Sequence, residues 1–152
     1  TDVVAGLAVM GHRAGTVDAP ATETQGVNDR WQLALAEREL RSRTNRHWLL
    51  NGVTMLDPRQ TFVDVTVRLG RDVTIYPGSI LQGDTVVGNG TDIGPHTQLD
   101  SCAVGAGCSV RHTVATDAEI GDGADVGPFA VLPPGSSVAA GATTGPFYSG
   151  PT

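Results

Sequence analysis

Lysine is absent from this chain. All ten cationic side chains are arginine, set against sixteen acidic ones, for a formal net charge of -6. Binding to a phosphate backbone draws on clustered cations that release counterions, so nucleic acid is not an expected partner. Aromatic residues are scarce at 5%, and a core must be built from Val, Ile, Leu and Ala. Cysteine occurs twice, without metal-type partners nearby, which suggests a reducing, cytoplasmic setting. No apolar run approaches the ~20 residues of a membrane span. No signal-peptide pattern opens the chain, and no membrane partner is expected. The 152 residues suffice for one domain, or a domain with part of another. The chain starts at Thr1 rather than Met and in mid-pattern, which reads as a piece of a longer protein.

Glycine and proline are plentiful instead: 20 and 9 residues, about a fifth of the chain and still below the low-complexity range. Residues 1–60 carry helical signals. Thr1 and Asp2 can cap VVAGLAVM, which Gly11 and His12 terminate. A short extended piece at Gly15–Asp18 and a polar loop follow. Asn28 and Asp29 precede RWQLALAERELRSRTNR, a predicted helix of about four turns that ends before Asn51-Gly52. Glu37 and Glu39 stand four residues before Arg41 and Arg43, the spacing of helical ion pairs. The arginine-rich side of this helix reads as a solvated face.

From about Thr61 the rhythm changes. Aliphatic residues fall every sixth position at Val63, Leu69, Ile75, Leu81, Val87, Ile93 and Leu99. The register slips by one to Val104, resumes at Val110, blurs across RHTVATDAE, and returns at Ile120, Val126, Leu132 and Val138. Four residues after the aliphatic stands a small or modest residue, as at Ser79, Thr85, Thr91, Thr97, Cys108, Ala124, Ala130 and Ser136. Glycine follows the aliphatic directly at Gly70, Gly88, Gly94, Gly105, Gly121 and Gly127. A period of six is neither the 3.6 of a helix nor the two of a flat strand. It fits coils of three short strands, with the aliphatic inside each wall, the small residue inward near a corner, and Gly, Asn or Asp where the corner needs positive φ. Such coils stack into a quasi-one-dimensional domain. The hexapeptide signature implies a left-handed parallel β-helix, an exception to right-handed crossovers.

Within that pattern Cys108 reads as inward filler and Cys102 as a thiol in a turn. His96 and His112 suggest a zinc pair, but no third histidine follows at coil spacing. His12 and His47 read as surface residues. No residue is assigned a catalytic role.

Several segments together resemble one family, the bifunctional N-acetylglucosamine-1-phosphate uridyltransferase/glucosamine-1-phosphate acetyltransferases of bacterial cell-wall precursor synthesis. They are TD at residue 1, GVNDRWQLALAE from Gly26, NGVTMLDPRQTFVD from Asn51, IYPGSILQG from Ile75, IGPHT from Ile93 and VGPFAVLPPGS from Val126. The resemblance implies a mostly β fold: a left-handed parallel β-helix of hexapeptide repeats, preceded by an α-helical linker and the tail of an α/β nucleotidyltransferase domain. Its expected boundaries are 1–28 for that tail, 29–50 for the linker helix, 51–62 for a connecting segment and 63–152 for a truncated β-helix. It further implies a homotrimer, UDP-N-acetylglucosamine as product, and acetyl-CoA, UTP and Mg²⁺ as requirements of the parent enzyme. Asn28 matches the Asn of the G-V-N motif, which binds the nucleotide sugar and helps hold Mg²⁺; an amide oxygen suits that hard cation. From the residues alone Asn28 reads first as a helix N-cap, an order that the family resemblance reverses, and both roles are compatible only if Asp29 or a carbonyl caps the helix.

Departures from the family pattern weigh against activity of this chain alone. The phosphate-holding Gly-rich loop and its Lys are absent. Where the family runs Leu-Arg-Pro-Gly, this chain has Leu132-Pro133-Pro134-Gly135, and the Arg fork that binds sugar phosphate is lost. Gly145-Pro146-Phe147-Tyr148-Ser149-Gly150-Pro151 stands where a sugar-binding Lys is expected, and the catalytic His of the family is not in the chain. Two further readings are a non-catalytic trimerising assembly module and an acyltransferase for another acceptor, using His96 or His112.

Overall fold

The computed structural model describes residues 2–13, 15–24 and 26–150; Thr1 and Pro151, named above, lie outside them. The chain forms two compact units, Thr1–Leu35 and Ala36–Thr152. In the first, helix α1 (Asp2–Val9) ends where Gly11 turns to φ 82°, letting the Gly11 and His12 amides donate to the Ala8 and Leu7 carbonyls at 3.0 Å. Helix α2 (Ala21–Thr24) follows, and α3 (Arg30–Leu50) runs on into the second unit.

The second unit is a parallel β-solenoid. Among the described residues, fifteen strands of two or three residues form three five-stranded parallel sheets, here faces A, B and C, visited in turn by each coil. Strands of the inner coils hydrogen-bond to the coil before and after; Thr74, Ile80 and Val86 donate to the Thr91, Thr97 and Cys102 carbonyls at 2.9–3.0 Å. The in-register stacks are the predicted aliphatics, joined by Met55 and Ala115. Met55, Ile75, Ile93, Val110 and Val126 line face A; Val63, Leu81, Leu99, Ala115 and Leu132 line face B. Leu69, Val87, Val104, Ile120 and Val138 line face C. All are buried, and each Val, Leu or Ile so removed from water contributes ~1.5–3 kcal/mol.

Three sequence expectations need correction. The blurred stretch RHTVATDAE keeps the beat: Ala115 is the inward residue, buried between Leu99 and Leu132. The slip arises because three corners are one residue shorter, each turning through one positive-φ residue: Ser101, His112 or Asp117. Cys102, Thr113 and Ala118 then take the inward corner slot three residues after the aliphatic, so Cys102 is buried filler rather than a turn thiol. Finally, the coils begin ahead of residue 63. The strand Thr54–Met55 pairs with Thr74–Ile75 inside the segment read as connecting, because Val53 and Met55 already bury apolar side chains.

Helix α3 is tied to the first coil by a residue that sequence reasoning passed over. The buried Asn45 donates both amide hydrogens, to the carbonyls of Pro58 at 2.8 Å and Thr61 at 3.0 Å. One turn later Trp48 packs against the core. Gly52, at φ 92°, ends the helix as the Val53 amide donates to the Trp48 carbonyl. Of the two expected ion pairs, Glu39–Arg43 forms at 2.8 Å, while Arg41 instead lays its guanidinium 4.4 Å from the Phe62 ring centre.

Glycine after the aliphatic serves close approach at the corner between faces C and A. A Cβ on Gly88 would lie 2.5 Å from the Ala106 nitrogen and the Gly105 carbonyl carbon of the next coil, and its φ is not in the left-handed region. Gly88→Ala therefore lowers unfolding free energy by ~1–3 kcal/mol through overpacking alone. Denaturant titration measures it, and an unchanged midpoint would contradict the spacing described at this corner.

Candidate functional site

The predicted site residue Asn28 lies just before α3. The Asp29 carboxylate accepts the Gln32 amide hydrogen at 2.7 Å, and the Asp29 carbonyl accepts that of Leu33 at 3.0 Å. Gln32 reaches back, its side-chain oxygen accepting the Asn28 amide hydrogen at 2.6 Å. Asp29 is thus the N-cap, and Gln32 ties down the residue before it. The Asn28 side chain is thereby relieved of capping and remains exposed. It offers one hard oxygen. Among the described residues no group of three His, Cys, Asp or Glu side chains is placed to hold a metal ion.

His96 and His112 do come together, along the edge between faces A and B. Both adopt positive φ, 49° and 46°, and their ring centres are 5.8 Å apart. Phe129 and Phe147 continue the column at 5.2 and 5.3 Å. Gly78 holds the equivalent place one coil earlier, and a Cβ there would strike the His96 ring. The column was missed from sequence, although its signal is visible: GPHT, GPFA and GPFY at residues 94, 127 and 145. It places two imidazoles and two phenyl rings in one row, with no third ligating side chain.

The cysteines stay within the wall. Cys108 sits beneath the Gly121 carbonyl, and Cys102 donates to the Asp100 carbonyl at 3.3 Å. Burial pushes the Cys102 thiol above its ordinary range. The fold thus favours the neutral thiol: its contribution is fully present below the ordinary thiol pKa and is lost as pH rises through the raised value.

A model of the bacterial transferase hexapeptide (six repeats) matches residues 66–101. The bifunctional protein GlmU of Geobacillus sp. (strain WCH70) is 44% identical over 139 residues, 91% of this chain and 30% of that protein. GlmU of Streptomyces avermitilis is 45% identical over 148 residues, 97% of the chain and 31% of the relative. The chain is GlmU-like. It spans less than a third of the length of these relatives. GlmU of Thermobifida fusca is 50% identical over 122 residues, 80% of the chain and 25% of that protein. The acetyltransferase domain of PglB from Neisseria gonorrhoeae shares the fold, with a TM-score of 0.61 at 16% identity over 74% of this chain and 58% of that one.

In this GlmU-like chain the LPPG corner is a type II turn. The Pro133 carbonyl accepts the Ser136 amide at 3.0 Å and its hydroxyl at 2.6 Å, while Gly135 takes φ 84° at the third position. Pro134 therefore supplies the fixed φ that makes the corner. Pro133 contributes only an acceptor. The stretch after Gly145 is also regular coil: Ser149 bridges Val131, and the Val131 amide donates to the Tyr148 carbonyl at 2.8 Å. That register sets Tyr148 over Ala130 and Gly150 over Leu132, reversing the usual large and small slots, and Tyr148 packs against the core.

Asp29→Ala should lower helix and protein stability by ~1 kcal/mol, and Asn28→Ala should leave both unchanged. Thermal melts followed by circular dichroism separate the two. Equal losses would return the capping role to Asn28.

Proposed function

We propose that this chain is the joining helix and the first coils of a two-reaction transferase making UDP-N-acetylglucosamine: acetylation of glucosamine 1-phosphate from acetyl-CoA, then uridylylation from UTP. The observation that carries this reading is 45% identity to a GlmU protein running through 97% of the chain, across helix and coils alike. The coils belong to its acetyltransferase part, and residues 1–28 to the end of its nucleotidyltransferase part. In support, α1 leaves Val3, Val4, Leu7 and Val9 exposed and buries no core of its own. The free cysteines support a reducing, cytoplasmic setting.

The contribution of this chain is scaffold rather than chemistry. Asn28, freed by the Asp29 cap, serves as one oxygen ligand to the nucleotide sugar and its Mg²⁺; by itself it does not make a magnesium site, and the remaining donors must come from elsewhere. Pro133 offers no charged donor to a sugar phosphate, so acetyl transfer by this chain is not expected. Assembly is its second role. Face B presents Phe62, Ile80, Gln98, Val114 and Val131 outward, with Phe62, Val114 and Val131 43–50% exposed. Face A presents Thr54, Thr74, Asp92, Ser109 and Asp125 instead. An apolar stripe on one face of three suits packing about a threefold axis.

Sedimentation of the chain should give a trimer, and Val114→Glu with Val131→Glu should give a folded monomer. Incubated with acetyl-CoA and glucosamine 1-phosphate, the chain should release no coenzyme A above the blank. A monodisperse wild-type monomer would overturn the assembly role, and turnover would overturn the inference from Pro133.

A further inference from the structure

The arginines are not spread evenly. Four of the ten, Arg38, Arg41 and Arg46 of α3 and Arg59 of the short turn Pro58–Gln60, line one cleft of about 620 Å³. Helical spacing brings Arg38, Arg41 and Asn45 to one side of α3, and the turn supplies the opposite wall. The carboxylate lining the cleft is that of Glu39, already bound to Arg43 at 2.8 Å. Asp57 lies beside Arg59, but its carboxylate accepts the Arg59 amide at 2.9 Å and the Gln60 side chain at 2.8 Å. These bonds hold it below the usual carboxylate range, the Arg59 amide foremost. Among the described residues none of the four guanidiniums has an ion-pair partner. A chain of net charge -6 thus concentrates unpaired positive charge in one concave place, so the arginines are more than the solvated helix face read from sequence.

A second observation points the same way. Asn45 also lines this cleft, and its amide nitrogen is held by the Pro58 and Thr61 carbonyls, which fixes the side chain's orientation. Its Oδ1 is buried and has no hydrogen-bond partner. A buried acceptor without a donor is costly and calls for one.

We propose that this cleft binds a phosphorylated, hydroxyl-bearing small molecule. The guanidinium forks take the phosphate oxygens, whose geometry they match in pairs, and a ligand hydroxyl donates to Asn45 Oδ1. A nucleotide and a sugar phosphate share this chemistry. The site stands on the cleft alone and does not depend on the transferase reading.

Isothermal titration at low ionic strength with ATP, with glucose 1-phosphate and with inorganic tripolyphosphate tests it. Saturable binding of one of the first two, tighter than tripolyphosphate charge for charge and weakened by salt, supports the site, and the tighter of the two names the source. Arg38→Ala with Arg46→Ala, both exposed and expected to fold, should weaken binding roughly tenfold or more. Arg111→Ala, whose partner is Asp125 on face A, should not. No saturable binding, equal binding by the double variant, or a preference for tripolyphosphate, which lacks a hydroxyl, would overturn the proposal.

Discussion

Hydrogen bonding between successive coils sets a fixed rise, and the other features of the solenoid answer to it. Parallel neighbours stand about 4.8 Å apart, so a side chain pointing inward must fit beneath its counterpart in the next coil. That is why aliphatics stack in three columns and why the corner slots hold Val53, Val67 and Val73 and chiefly Thr, Ser, Ala or Cys after them. It is also why Gly88, Gly105 and Gly121 cannot carry a Cβ without meeting the next coil's backbone. The same rise spaces the outer column of His96, His112, Phe129 and Phe147, whose ring centres follow one another at 5.2–5.8 Å. Polar corner residues are stitched along the same direction. The hydroxyls of Thr85 and Thr91 accept the amides of Cys102 and Cys108 one coil on, which leaves few wall groups unsatisfied.

Most of this architecture was legible because the repeat declares itself through two slots at once, a large one and a small one. Legibility failed where one slot was filled atypically. Ala115 is small for a wall position, so the pattern dissolved around it, although its neighbours Leu99 and Leu132 fill the space. Val53 and Met55 were missed because the loop after them, with Asp57 and Pro58, interrupts the beat before Val63. The short corners at Ser101, His112 and Asp117 look like disorder in the period, yet the positive φ of one residue absorbs the missing one. Contacts outside the repeat had no signature at all. Nothing in the sequence distinguishes Asn45 from its polar neighbours on α3, and only tertiary placement makes it the tie between helix and coil.

The site residues divide differently. Asn28 was legible as a candidate for two roles, and the geometry gives the capping one to Asp29. Pro133 shows how a corner residue can differ while the solenoid keeps its shape. Its side chain lies at a corner, outside the packed columns, and the turn there depends on Pro134 and Gly135. Residues that hold the coil point inward, whereas those open to a ligand or another chain point outward. Each set can therefore change without the other, and the apolar face B and the arginine cleft are features of the outward set.

The rise from coil to coil is tested most directly by amide hydrogen exchange resolved to single residues. Ladder donors such as Thr74, Ile80, Asp92, Gln98 and Ser109 should exchange slowly, as should the first-coil donors Thr54 and Phe62, which bond forward to Val73 and Ser79. Protection should recur with the coil period through the second unit. Protection in a continuous helical run after Thr54, or none at the ladder donors, would contradict the account.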